Sequence, residues 1–124
     1  MSLTDYGETY VLGLVKKEKT YYLGVLTTQP SDSSAGTEVS GGSYARQAIT
    51  FAPPASGEPS SMTNSAAIEF PTATAGWGTV VAWGVYDAAT GGNLVWYGAL
   101  STAKELSAND TIIVHAGDLK LTLD

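Results

Sequence analysis

The stretch 78–101, GTVVAWGVYDAATGGNLVWYGALS, decides the fold. Its two outer runs, Thr79–Asp87 and Leu94–Ser101, are rich in the β-branched and aromatic residues that favour strands. Between them, Gly91–Asn93 contains residues that readily take the left-handed backbone angles of a chain reversal. The stretch therefore predicts a β-hairpin. Because it holds two of the three tryptophans, we expect the core to be built on it.

The register of this hairpin predicts how its two mid-strand glycines are covered. If Asp87 pairs with Leu94, Trp83 lies across from Gly98. In the same register, Tyr97 lies across from Gly84. A ring from the neighbouring strand then covers each glycine and offsets the packing that glycine lacks in a sheet.

Length and composition limit the classes to which this protein can belong. A chain of 124 residues fits one domain, residues 1–124, and the low charged fraction of 15% favours strands joined by turns over a helical bundle. Twelve acidic against six basic residues give a net charge of −6, which argues against a nucleic-acid partner because phosphate binding depends on clustered Lys and Arg. The absence of cysteine excludes disulfides and thiolate chemistry.

The N-terminal segment has the spacing of an amphipathic helix. Four large apolar residues recur at intervals of three and four: Leu3, Tyr6, Tyr10 and Leu14. This spacing predicts a short helix over residues 3–15, capped by Ser2 or Thr4, with a strand as the alternative. The Tyr6 and Tyr10 face of the helix could dock on the protein's own sheets or on another subunit.

The remaining chain predicts further strands and two long loops. The strands are expected at 20–28, 43–51, 65–70, 111–115 and 119–123, the last two forming a closing hairpin, with a loop at 102–110. About seven short strands with one peripheral helix indicate a mainly β fold, a single-domain antiparallel β-sandwich or a flattened barrel. The loops 29–43 and 52–64 are unusually long, which suggests contact with a partner or mobility.

A search for chemistry finds no convincing reactive centre. His115 is the only histidine, and without cysteine it cannot form a zinc site or a Cys–His pair. Five acids lie scattered over loops and strand ends without forming a recognisable pair: Glu38, Glu58, Glu69, Asp87 and Glu105. The sequence therefore predicts no catalytic residue, no cofactor and no metal, and a small glycosidase is the least favoured alternative.

Four residues are the candidates for contact with a partner. Arg46 is the only arginine, and it is expected to pair with an acidic group at the edge of the core or across a subunit contact. Trp77, between two glycines at a loop end, is expected to anchor a surface or an interface. Tyr6 and Tyr10 complete the predicted partner interface.

Several segments together resemble a family of small tailed-phage virion proteins, whose members are labelled tail-fibre proteins or capsid decoration (cement) proteins. The segments are Tyr22–Pro30, Gly36–Phe51, Trp77–Val80, Trp83–Leu94 and Ala116–Asp124, and the most distinctive is GTEVSGGSYAR at 36–46. The resemblance implies a non-enzymatic structural protein of the virion. It carries no catalytic residues that could be transferred to this chain.

Two placements in the virion follow from the resemblance. The favoured one is a decoration protein that binds and stabilises the major capsid protein shell, as a trimer or another small symmetric homo-oligomer. The alternative is a tail or tail-fibre component that meets the host surface, with sugar bound on Trp77 or a tyrosine. Residues 1–9 lack the features of a secretion signal, and no apolar run is long enough to span a bilayer. We therefore expect assembly in the host cytoplasm, release by lysis and no membrane partner.

Overall fold

The computed structural model describes residues 3–57 and 59–123. The predicted fold class is confirmed: the protein is mainly β, with 41% of its residues in strands and 12% in one N-terminal helix, and its sheets are antiparallel. Eight strands are found in the described residues, against about seven predicted. Ser2, a candidate helix cap, and Glu58, one of the scattered acids, lie outside the described residues.

The elements follow one another along the chain in a simple order. They are α1 (Asp5–Glu18), β1 (Tyr21–Leu26), β2 (Gln47–Ile49), β3 (Ser60–Thr63), β4 (Ile68–Glu69), β5 (Gly78–Tyr86), β6 (Leu94–Leu106), β7 (Ile113–Val114) and β8 (Lys120–Leu123). The chain divides into two compact units, the first formed by 1–20, 49–68 and 114–124 and the second by 21–48 and 69–113. The expectation of a single domain stays a prediction, and each unit is described by itself.

The predicted hairpin is confirmed and belongs to a four-stranded sheet with the order β2-β1-β5-β6. Trp83 pairs with Gly98 and Gly84 pairs with Tyr97, as the register predicts. A Cβ atom at Gly98 would overlap the indole of Trp83, so this glycine is covered by the expected ring. The close packing of a ring on the backbone explains why glycine is needed in the middle of β6.

Gly84 is covered differently from the prediction. A Cβ atom there would lie 2.6 Å from Leu94 and 3.1 Å from Tyr86, and the three atoms nearest to it include none of Tyr97. The cause is a register shift after Val85, which brings Leu94 opposite Tyr86. Leu94 therefore pairs with Tyr86, and the predicted pairing with Asp87 is wrong.

The predicted loop at 102–110 is wrong in its first half, because β6 continues to Leu106. After a second irregularity between Val80 and Ala82, the strands pair again, with Lys104 opposite Val80. Leu106 is buried, and its carbonyl accepts a hydrogen bond of 2.8 Å from the backbone of Trp77. Sequence patterns miss this extension because Lys104 and its charged neighbour are weak strand formers whose pairing depends on a distant partner.

The predicted closing hairpin is also wrong. The turn is present, since Asp118 N donates to His115 O over 3.0 Å, but its arms pair elsewhere. Strand β8 pairs with β3 in the first unit, and β7 forms a two-stranded sheet with β4. Strand β3 lies in the predicted loop 52–64: its residues Ser60 and Met62 are buried, and Met62 pairs with the buried β8 residue Leu121.

Helix α1 is confirmed, although its buried face is not the predicted one. Thr4 caps it by accepting a 3.0 Å hydrogen bond from Gly7 N. The helix buries Leu12 and Glu8, and the Glu8 carboxylate accepts a 2.6 Å hydrogen bond from the hydroxyl of Ser60. The predicted face is exposed instead, so its docking on the protein's own sheets is contradicted. The exposed side chains are Leu3, Tyr6, Tyr10 and Leu14.

The covering of Gly98 gives a direct test of the hairpin. Gly98→Ala should lower the free energy of unfolding by about 1–3 kcal/mol, because the methyl group must displace the Trp83 ring. Gly76→Ala is the matched control, since its new Cβ would meet only the Leu106 carbonyl at an ordinary 3.6 Å. Urea unfolding measures both variants, and equal stability of the two would contradict the packing of Trp83 on Gly98.

Candidate interaction site around Arg46

The long loop that precedes β2 is held against the edge of β1 for part of its length. Val39 N donates to Val25 O over 3.1 Å, and Thr27 N donates to Thr37 O over 2.8 Å. These bonds place Glu38 opposite Leu26 in an isolated antiparallel bridge. The loop therefore holds a carboxylate at a fixed position beside β1.

A left-handed turn at Gly41–Ser43 fixes the next part of the loop. All three residues have positive φ angles, 79°, 59° and 67°. The Gly42 carbonyl accepts hydrogen bonds from Trp77 Nε1 at 2.9 Å and from Thr74 N at 3.0 Å. A Cβ atom at Gly42 would lie 2.8 Å from Trp77 Nε1, so glycine is required both for the backbone angle and for this close approach.

Trp77 is a buried residue, and the prediction of a surface position is wrong. Its side chain is 5% exposed. The indole meets the ring of Tyr44 edge-on, with 5.3 Å between centroids, and lies 6.5 Å from Phe70. The flanking glycines, which suggested an exposed loop end, allow the chain to turn so that the indole reaches Gly42.

Arg46 forms the predicted pair with an acidic group, and the acid is Glu38. Arg46 Nε and Nη2 donate to the two carboxylate oxygens at 2.8 and 2.7 Å, a bidentate geometry that is strong and directional. The side chains are 9% and 23% exposed, so water screens the pair only weakly. Glu38, expected to be a solvated charge, is thus a structural partner.

The same guanidinium also holds the turn between β5 and β6. Arg46 Nη1 donates to the carbonyls of Ala88 at 2.9 Å and Gly91 at 2.7 Å. The central carbon of the guanidinium, Cζ, lies 3.6 Å from the centroid of the Tyr86 ring, in cation–π contact. One side chain therefore joins the loop, the hairpin turn and the face of the sheet.

The cluster fills the space that a strand glycine leaves open. A Cβ atom at Gly24 would lie 2.7 Å from the Tyr44 hydroxyl, 2.8 Å from Glu38 and 2.9 Å from the Tyr86 ring. Gly24 is paired with Gly84 of β5, so two adjacent strands lack side chains at this point. Glycine at 24 is needed because the Glu38 carboxylate and two phenol rings pack directly on the backbone.

Tyr44 is bound on both sides of its hydroxyl. It donates to Glu38 Oε2 at 2.5 Å and accepts from Val25 N at 3.1 Å. Burial, together with the hydrogen bond donated to Glu38, raises the pKa of Tyr44 far above its ordinary value of 10.0. The hydrogen bond to Glu38 also raises the pKa of Arg46, and burial raises the pKa of Tyr86. The phenols therefore stay neutral and the guanidinium stays charged.

This arrangement is suited to holding a surface in shape. Arg46 makes four hydrogen bonds inside the chain, which leaves its guanidinium little capacity for an external anion. Beside the cluster lies an open depression of about 410 Å³, whose lining comes from the loop 38–46 and the turn 89–91. Within 3–57 and 59–123 no three His, Cys, Asp or Glu side chains gather as a metal site, and no helix is long and apolar enough to cross a membrane.

The four predicted contact residues fall into two groups. Arg46 and Trp77 lie in the second unit and are joined through Tyr44, which contacts Trp77 and shares Glu38 with Arg46. Tyr6 and Tyr10 lie in the first unit, stacked 6.1 Å apart on α1. Their roles in binding a partner stay predictions.

Sequence reasoning missed three members of the cluster, namely Glu38, Tyr44 and Tyr86. Two signals could have found them. Gly24 interrupts a strand that is otherwise rich in large residues, and the single arginine of a chain with few charges follows a glutamate and a tyrosine in one short loop. A lone buried cation requires such partners.

The site around Arg46 is thus a set of polar contacts that join a loop and a hairpin turn inside an antiparallel β protein. A family model described as podophage GP4 fiber I protein gp80 matches residues 4–122. The chain belongs to this family, which confirms the resemblance to phage virion proteins, and it is a structural protein of a phage virion. The comparison with curated proteins found no significant match.

The pKa of Tyr44 predicts how stability changes at alkaline pH. Because its folded pKa lies above the unfolded value of about 10, its contribution is complete below pH 10 and is lost as the pH rises further. Tyr44→Phe should cost about 1–2 kcal/mol at neutral pH, since Glu38 and Val25 N each lose a partner. The same variant should also lose less of its free energy of unfolding as the pH rises above about 10. Urea unfolding across pH measures both effects.

Tyr22→Phe, at a half-buried position in β1, controls for the loss of one phenol and should leave the alkaline loss of stability unchanged. An identical alkaline decline in Tyr44→Phe and the wild type would contradict the assignment to Tyr44.

Proposed function

We propose that this chain is a component of a phage tail fibre. The observation that carries the proposal is the match of residues 4–122, nearly the whole chain, to a family described as a fibre protein. Capsid decoration, which the sequence favours slightly, gains no support from this match. The proposed partners are accordingly other fibre or tail proteins and not the major capsid protein.

The site around Arg46 supports a role in adhesion. A fibre transmits force between its attachment point and its tip, so its contact surfaces must keep their shape. Arg46 ties the hairpin turn at Ala88 and Gly91 to the loop that carries Glu38. We propose that the exposed parts of this loop and turn, around the open depression, contact a neighbouring virion protein.

We further propose that the protein has no enzymatic activity. Its family is a structural fibre family. The most constrained polar group, the Arg46 guanidinium, is used internally. The side chains that approach it are one carboxylate and neutral phenols, a set that supplies neither a nucleophile with its base nor a second carboxylate for acid–base work.

Contact with the host surface is the finer form of the fibre proposal. A sugar ring bound by the protein would need an exposed aromatic face. Trp77 is buried and cannot supply one, whereas Tyr6, Tyr10 and Tyr97 are exposed. Among the residues predicted for sugar contact, this leaves the exposed tyrosines.

Labelling of intact particles tests the placement. Gold-conjugated antibodies raised against the purified chain should mark appendages at the tail in electron micrographs. Particles that lack the protein serve as the control for nonspecific gold. Labelling spread across the capsid shell would overturn the fibre proposal and restore capsid decoration.

A further inference from the structure

Helix α1 carries an apolar stripe that the chain itself does not cover. The exposed fractions are 45% for Leu3, 77% for Tyr6, 57% for Tyr10 and 47% for Leu14. The opposite face of the same helix is anchored by the buried residues Leu12 and Glu8. Large apolar side chains that cluster on one exposed face mark a contact surface more often than isolated ones do.

We propose that this stripe packs against the same stripe of a second copy of the chain, with the two helices antiparallel and Tyr10 at the two-fold axis. This contact goes beyond the proposed fibre role. It rests on that role in one respect, namely that several copies of the chain meet in one particle.

The sequence of the helix has the symmetry that such a contact needs. Tyr6 and Leu14 lie four residues on either side of Tyr10, and Gly7 and Gly13 lie three residues on either side. An antiparallel pair centred on Tyr10 therefore places Tyr6 of each copy against Leu14 of the other. A two-fold interface is self-complementary in this way, because each patch meets an identical patch.

The charges of the helix favour the antiparallel direction. The acidic residue Asp5 lies in the first turn, and Lys16 and Lys17 lie in the last. A parallel pair or trimer would bring the lysine ends of all copies together. An antiparallel pair instead brings the basic end of each helix towards the acidic first turn of the other, and it opposes the two helix dipoles.

Gly13 gives independent support for a close approach. Glycine inside a helix costs roughly 1 kcal/mol relative to alanine. A Cβ atom at Gly13 would meet nothing within 4 Å, so no contact among the described residues requires glycine at this position. A second helix or its tyrosine ring packed on the stripe would use the space that this glycine leaves.

Because the chain contains no cysteine, single cysteines can report the geometry. Under mild oxidation, Tyr10→Cys should form a disulfide-linked dimer, since residue 10 meets itself at the axis. Tyr6→Cys and Leu14→Cys should each give little dimer alone but should cross-link when mixed. Ala108→Cys, on an exposed turn of the second unit, is the control for random collision.

Light scattering of the wild-type chain should give twice the chain mass, and Tyr10→Glu, which places two carboxylates at the axis, should return it to monomer. Circular dichroism checks that each variant is folded. A wild-type monomer or trimer would overturn the proposal, as would cross-linking of Tyr6→Cys alone at the level of Tyr10→Cys. These results do not depend on particle labelling, so failure of this contact and failure of the fibre role are distinguishable.

Discussion

The guanidinium of Arg46 is the constraint on which the second unit depends. It is charged, nearly buried, and bound at once to the Glu38 carboxylate, the Tyr86 ring and two carbonyls of the hairpin turn. A charge removed from water destabilises a protein unless its hydrogen-bonding capacity is met. The loop before β2 and the turn after β5 must therefore keep the positions in which they meet it.

This constraint also explains the composition of the strands beneath the cluster. Gly24 and Gly84 face each other across β1 and β5, and Tyr86 packs over both. Side chains at these positions would push the rings and the carboxylate off the sheet. Glycine is unfavourable in strands, but here it is required, because the polar cluster can pack on the backbone only where no side chain is present.

The sequence predicted best what depends on neighbours along the chain. The hairpin at 78–101, the pairing of Trp83 with Gly98 and the Thr4 cap follow from local turn chemistry, alternation and helix spacing. The single arginine also implied an acidic partner. Which acid it meets was not predictable, because Glu38 reaches Arg46 only when the loop folds back along β1.

Most of the errors share a physical cause, since they concern which distant surface a segment meets. The Tyr6 face of α1 has the right period for burial, yet the helix buries Leu12 and Glu8, and the Glu8 carboxylate accepts a hydrogen bond from the Ser60 hydroxyl. Similarly, Trp77 is buried because the left-handed turn at Gly42 presents a carbonyl to it. Local sequence patterns predict whether a segment is a helix or a strand and which residues share a face. Contacts with distant parts of the chain decide which of those faces is buried.

Glu38 and Arg46 act as one structural unit, and a double-mutant cycle measures how strongly the two side chains depend on each other. Urea unfolding of Glu38→Gln, Arg46→Gln and the double variant gives the coupling free energy. We expect a coupling of about 2 kcal/mol or more, because each single change leaves a largely buried charge without its partner. Additive effects, with coupling below about 0.5 kcal/mol, would contradict it.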